Sequence, residues 1–198
     1  IAIMVHLTKI YTRTGDDGST NLVDMTRTDK NDLRLVVYAD TDEANSAIGV
    51  AIATGGLESD VVTVLSHIQN DLFDLGSDIG NPIVDDPKYP PLRVEPDYIA
   101  RLESWCDDFN EKLEKLNSFI LPGGTLAAAH LHVARTVVRR AERAAWAAIA
   151  EYPATTNVLT AKYLNRLSDL LFILGRYANK ENGDVLWVPG GDRIKPGK

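Results

Sequence analysis

Residues 125–151 read TLAAAHLHVARTVVRRAERAAWAAIAE. The stretch is dominated by alanine, the strongest helix former, and predicts one long helix over 125–151. Pro122-Gly123-Gly124 is a hard stop before it, and Pro153 breaks it on the far side. Around its arginines the flanking sequence is almost all Ala, Val and Leu, so the helix is expected to be buried on most sides. Arginines on such a helix need partners.

The neighbouring segments repeat the pattern. Residues 32–54 place Ala44, Ala47, Ile48, Ala51 and Ile52 at helical spacing, and Gly55-Gly56 ends that element. Residues 60–79 form one stripe from Val61, Val64, Leu65, Ile68, Leu72 and Leu75. A Pro/Asp-rich connection follows from Asn81 to Pro91, and Pro96 opens a third helix expected to reach about Leu116. Residues 157–180 carry Leu164, Leu167, Leu171, Leu174 and Ala178 on one side. Five helices of roughly 30 Å or longer, with short connections, predict an all-α, antiparallel five-helix bundle. Residues 8–30 lack a helical period and read as an ordered loop or short hairpin; residues 181–198 read as a tail. At 198 residues the chain is expected to form one domain.

Composition narrows the function. The formal net charge of −7 argues against a general nucleic-acid binder. The charge is split: residues 32–125 sum to −12 and residues 126–180 to +5. A single cysteine, Cys106, excludes an intrachain disulfide or a zinc ribbon. No apolar run approaches a membrane span, and the start IAIMVHLTK has no signal-peptide pattern, so a cytoplasmic setting is expected. The Glu-x-x-His pairs of di-iron bundles, the P-loop and the G-x-G-x-x-G turn are all missing. His6, His67, His130 and His132 read as surface or capping histidines, and no protein-held metal site is expected.

Five constellations carry chemistry. Thr12, Arg13, Thr14, Gly15, Asp16, Asp17 and Gly18 form a Gly-rich turn whose backbone N–H groups suit a triphosphate, with Lys9 or Arg13 adding charge. Arg135, Arg139 and Glu142 share a helix face, and arginine offers fixed forks for phosphate. Asp42 lies on the stripe of Asn45 and Gly49, where a buried carboxylate would pair with Arg135 or Arg139. Asn165, Asp169, Phe172 and Arg176 make a second polar stripe, as a subunit interface or site would. Phe119, in an apolar loop stopped by Pro122-Gly123-Gly124, either caps the core or meets an apolar ligand.

At KIYTRTGDDGST (9–20), YADTDEANSAIG (38–49), FILPGGT (119–125), HVARTVVRRAER (132–143) and YLNRLSDLLF (163–172), the sequence resembles the PduO-type ATP:cob(I)alamin adenosyltransferases. Five matches in order, spanning about Thr8 to Arg193, make the resemblance specific. It implies a ferritin-like five-helix bundle assembled as a homotrimer, with active sites between subunits. It further implies that Lys9 and the loop from Thr12 to Gly18 wrap the triphosphate with Mg²⁺. Arg135 and Arg139 would reach the phosphates and the reacting end, Asp42 would hold Arg135 across the interface, and Glu142 and Asn165 would hold ATP or the loop that covers it. Phe119 would occupy the lower face of the corrin, with Phe172 beside it. Asp17 departs from the pattern, standing where some members have lysine.

The resemblance implies transfer of the 5′-deoxyadenosyl group of ATP to cob(I)alamin, fed by an electron-donating reductase. Cobalt is the nucleophile, so no general acid or base is required, in keeping with the lack of a Ser-His-Asp or paired-carboxylate arrangement. The competing reading is a non-catalytic trimeric carrier or sensor of nucleotide and corrinoid. Retention of both Phe119 and Asp42 favours the enzyme.

Overall fold

The structure is a computed structural model describing residues 10–190. Lys9, His6 and the end of the tail lie outside the described residues. A small antiparallel hairpin, β1 (Ser19–Asn21) with β2 (Arg27–Asp29), pairs Thr20 with Thr28. Five helices follow: α1 (Leu33–Ala53), α2 (Ser59–Ile79), α3 (Pro96–Asn110), α4 (Leu126–Glu151) and α5 (Leu159–Ala178). The all-α bundle read from the sequence is therefore present, with the 8–30 segment resolved as a hairpin over its described part.

Local chemistry sets the helix ends. The Asp32 carboxylate accepts from the backbone N–H of Arg34 at 2.8 Å, opening α1. Thr125 does the same for α4, accepting from the N–H of Ala128 at 3.2 Å. Pro96 sits in the first turn of α3, where its missing N–H costs nothing. α3 is shorter than expected, stopping at Asn110 and not near Leu116. Leu113 already turns back through an N–H bond to the Asn110 carbonyl at 3.1 Å. The Glu114 carbonyl accepts from the Arg176 guanidinium at 2.8 Å, which ties this turn to α5.

α4 is the central element, packed between α1 and α5. Its buried face is largely alanine (Ala127, Ala128, Ala134, Ala141, Ala145, Ala148), which lets both neighbours approach closely. Larger side chains fill the space from the other helices: Ile48, Leu65, Ile68, Leu102, Leu164 and Leu167 are all fully buried. Each such side chain contributes about 1.5–3 kcal/mol. Sequential helices run antiparallel, whereas α3 and α5 lie side by side in the same direction, pairing Tyr98 with Tyr163 and Phe109 with Tyr177. Asp71 ties α2 to both, accepting from Arg101 at 2.8 Å and from the Tyr163 hydroxyl at 2.9 Å.

A buried clasp holds the opposite ends of the chain connections. Asp78, 1% exposed, accepts from Arg93 Nη1, the Val94 N–H and Asn157 Nδ2, each at 2.7 Å. It thereby joins the end of α2, the 80–95 connection and the α4–α5 turn. Asp78→Asn keeps the shape but removes the charge that these donors face. The expected loss is about 2–3 kcal/mol, read as a lower urea midpoint at unchanged slope.

Candidate active site

Three hollows lie in a row along α4 and α5. The first, about 670 Å³, is mainly apolar and is lined by Phe119, Ile120, Phe172 and Trp187 together with His132 and Arg135. The second, about 270 Å³, shares Arg135 and Phe172 with the first and adds Arg139, Ser168, Asp169 and Ile173. The third, about 700 Å³, shares Arg139 and adds Arg140, Glu142, Arg143 and Asn165. The row therefore grades from aromatic to cationic, with Arg135 and Arg139 at its two junctions.

Helical spacing produces this order. Arg135, Arg139 and Glu142 sit at i, i+4 and i+7 of α4, one above another. Asn165 and Phe172 sit two turns apart on α5. Asn165 Nδ2 donates to Glu142 Oε1 at 3.1 Å across the two helices, and Trp146 Nε1 donates to the same oxygen at 3.4 Å. Burial, with the Arg139 charge adding to it, depresses the proton affinity of Arg135, and its Nε has no partner among the described residues. Arg176, on the same expected stripe, is instead structural: it is buried and ion-paired to Asp184 at 2.9 Å.

Phe119 does not cap the core. It is 78% exposed and stands at the mouth of the apolar hollow, with Trp187 edge-on at 6.1 Å between ring centres. The loop is held from two sides. Val185 and Trp187 exchange backbone bonds with Leu121 and Phe119 at 2.8 and 2.7 Å. The Asn179 amide accepts from the Thr125 N–H at 2.8 Å and donates to the Gly123 carbonyl at 3.0 Å. Gly124 has φ +105°, and a β-carbon there would stand 2.1 Å from the Asn179 side chain. Gly124→Ala is expected to cost about 2 kcal/mol or more and to loosen Phe119. A fall in Tm with faster proteolytic cleavage in the 117–124 loop checks this.

The N-terminal loop and Asp42 lie elsewhere. Asp17 Oδ1 accepts from the Ser19 N–H at 3.0 Å and its hydroxyl at 2.6 Å, and these bonds lower the carboxyl pKa. Arg13 and Gly18 both have positive φ, at 63° and 85°. Thr12 and Thr14 share a hydroxyl bond of 2.9 Å; Gly15 sits against the Lys30 side chain. Arg27 reaches the Thr14 carbonyl at 3.0 Å and pairs with Asp17 at 3.5 Å. Asp16 is exposed beside them. Asp42 lines a small hollow between α1 and α2, with Tyr38, Asn45 and Phe73. It is exposed, and no hydrogen bond or ion pair joins it to Arg135 within one chain. Arg140 instead takes the α1 carboxylates, Asp40 at 3.1 Å and Glu43.

Several site residues escaped the sequence reading. Lys30 and Arg27 are cations of the loop, though neither lies in its Gly-rich run. Trp187 belongs to an apolar run, Val185–Val188, past the last helix; that run was the only available signal. His132 is 3% exposed, which corrects its reading as a surface or capping histidine. Burial raises the Cys106 thiol pKa to about 11, so it is a neutral packing group at pH 7.

Comparison with known proteins gives the family of the chain. The family described as cobalamin adenosyltransferase matches residues 10–178. A corrinoid adenosyltransferase of Mycobacterium tuberculosis (strain ATCC 25618 / H37Rv) is 64% identical over 189 residues, covering 96% of this chain and 97% of that protein. A cobalamin adenosyltransferase of Cupriavidus metallidurans is 46% identical, covering 91% and 95%. Among solved structures, a Phe-to-Ala variant of the PduO-type ATP:corrinoid adenosyltransferase of Lactobacillus reuteri, complexed with cobalamin and ATP, superposes with a TM-score of 0.82. It is 36% identical, over 90% of this chain and 99% of that one. The same enzyme's Arg-to-Lys variant, complexed with ATP, gives 0.80 at 35% identity, covering 91% and 100%. This chain belongs to the cobalamin adenosyltransferase family.

Proposed function

We propose that the protein transfers the 5′-deoxyadenosyl group of ATP to cob(I)alamin, forming adenosylcobalamin and releasing triphosphate. The observation that carries this reading is the graded row of hollows, which offers an aromatic wall for a flat macrocycle joined through Arg135 to a guanidinium-lined seat for phosphates. In the reaction the cobalt electron pair forms the Co–C5′ bond. The C5′–O bond breaks, and its pair leaves on the triphosphate oxygen. Arg135 and Arg139 stabilise the charge that develops there, and Mg²⁺ arriving with ATP shares that task. Holding cobalt in line with C5′ supplies much of the remaining rate. Phe119 and Phe172 face the corrin; Glu142 and Asn165 hold the nucleotide.

The loop half of the site, Thr12 to Gly18, lies by the β1–β2 hairpin that leads into α1, and Asp42 lines its hollow between α1 and α2, whereas the row runs along α4 and α5. No described hydrogen bond or ion pair joins Asp42 or residues 12–18 to Arg135, Arg139, Glu142 or Asn165. This separation supports a homotrimer in which one subunit supplies the loop and Asp42 and its neighbour supplies the arginines. The reading is of one helical domain, with residues 8–30 as its nucleotide loop and 181–198 as its tail. An electron-donating reductase supplies cob(I)alamin, and the setting is cytoplasmic. Among the described residues no helix is long and apolar enough to cross a membrane.

The test mixes the protein with ATP, Mg²⁺ and chemically reduced cobalamin. Light-sensitive adenosylcobalamin and stoichiometric inorganic triphosphate are expected. Bound ligands without either product would leave only a carrier.

A further inference from the structure

His132 is a buried polar side chain of the apolar hollow that the reaction above leaves unused. It is 3% exposed, and neither Nδ1 nor Nε2 has a hydrogen-bond partner among the described residues. Its place is built from both sides. The ring meets Phe172 edge-on at 6.2 Å between centres. On α5 the facing residue is Gly175, where a β-carbon would stand 3.1 Å from Nε2. Arg135 lies one turn further along α4, also at the wall of the hollow. A dry imidazole is costly, because a buried donor or acceptor without a partner forfeits its solvation. Arg135 has prospective partners in phosphate and in Asp42 of a neighbour; nothing so far answers His132.

The chemistry of the ring selects what does. Burial, reinforced by the Arg135 charge, pushes its pKa below the usual histidine range, so at neutral pH it carries one donor and one acceptor and no charge. A neutral ring packed against an aromatic side chain in an apolar hollow is a poor phosphate ligand. A corrin presents apolar faces edged by carboxamide side chains, and a carboxamide has both an N–H donor and a carbonyl acceptor. We propose that His132 hydrogen-bonds a peripheral carboxamide of the corrin and so fixes the ring's rotation and height over Phe119. This rests on reading the hollow as the corrinoid site. His132 acts as a binding residue, and it transfers no proton.

The experiment titrates cob(II)alamin, followed by its visible absorbance, against wild type, His132→Leu and His132→Asn in the presence of ATP. His132→Leu is expected to weaken cob(II)alamin about five- to tenfold, the worth of one neutral hydrogen bond, and His132→Asn to recover part of it. ATP affinity stays at the wild-type value. The unliganded His132→Leu protein melts no lower than wild type, because the substitution removes an unpaired polar group. Unchanged cob(II)alamin affinity in a folded His132→Leu protein overturns the proposal. A lowered Tm with parallel loss of ATP and corrinoid binding assigns a structural role and overturns it equally. Wild type that binds ATP but no cob(II)alamin overturns the functional reading itself, and this proposal with it.

Discussion

Phe119→Ala is expected to lower turnover of cob(II)alamin about 100-fold or more, equivalent to roughly 2.7 kcal/mol of barrier, with ATP affinity unchanged. The reason lies in the step before alkyl transfer. Cob(II)alamin resists reduction while a lower axial ligand raises its acceptor orbital. A phenyl ring against the lower face excludes water and base and donates nothing to cobalt. Phe119 stands at the mouth of the apolar hollow, 78% exposed, and is removed from the cationic seat by Arg135. Its exposure also separates function from folding: truncation opens no core cavity, and Tm is expected to move by less than about 1 kcal/mol equivalent. The measurement compares cob(II)alamin plus reductant with chemically pre-reduced cob(I)alamin. The loss should be much smaller with the pre-reduced substrate. Equal losses with both would place Phe119 in alkyl transfer or corrin binding and not in the reduction.

The residues that were legible in the sequence are those whose meaning is local. Apolar periodicity identifies α1, α2 and α5, Pro96 marks the start of α3, and the Ala-rich run of α4 announces a helix crowded on several sides. Spacing along one helix is enough to bring Arg135, Arg139 and Glu142 together. What stayed hidden depends on contacts between distant segments. The turn that ends α3 is tied to α5 by the Arg176 guanidinium on the Glu114 carbonyl, 62 residues earlier in the chain. His132 appears polar and surface-bound in a helical wheel, yet Gly175 and Phe172 of another helix enclose it. Trp187 gains a role only because its backbone pairs with Phe119. Asp42 lies with Asn45 as its spacing predicts, but among the described residues no hydrogen bond or ion pair joins it to an arginine of its own chain.

That last point leads to the second large effect. Arg135→Ala is expected to lower kcat about 10²–10³-fold, the usual cost of removing one preorganised donor from a developing oxyanion. Corrinoid affinity should fall far less, since the aromatic wall of the hollow remains. Arg135→Lys restores the charge without the planar fork and recovers only part of the rate. Unchanged kcat and ATP KM in Arg135→Ala would remove this residue from the chemistry. Asp42→Asn should reproduce the defect in milder form, because the guanidinium keeps its charge and loses only its anchor. If the anchor comes from a neighbouring subunit, the two defects are complementary in trans. Neither Arg135→Ala nor Asp42→Asn alone builds a complete site. A mixed oligomer places the intact Asp42 of one subunit beside the intact Arg135 of the next and assembles a wild-type site at that interface. Unfolding and refolding the two variants together should therefore yield activity well above the mean of the separately refolded samples. Activity equal to that mean would show that Asp42 does not complete the arginine site from across an interface.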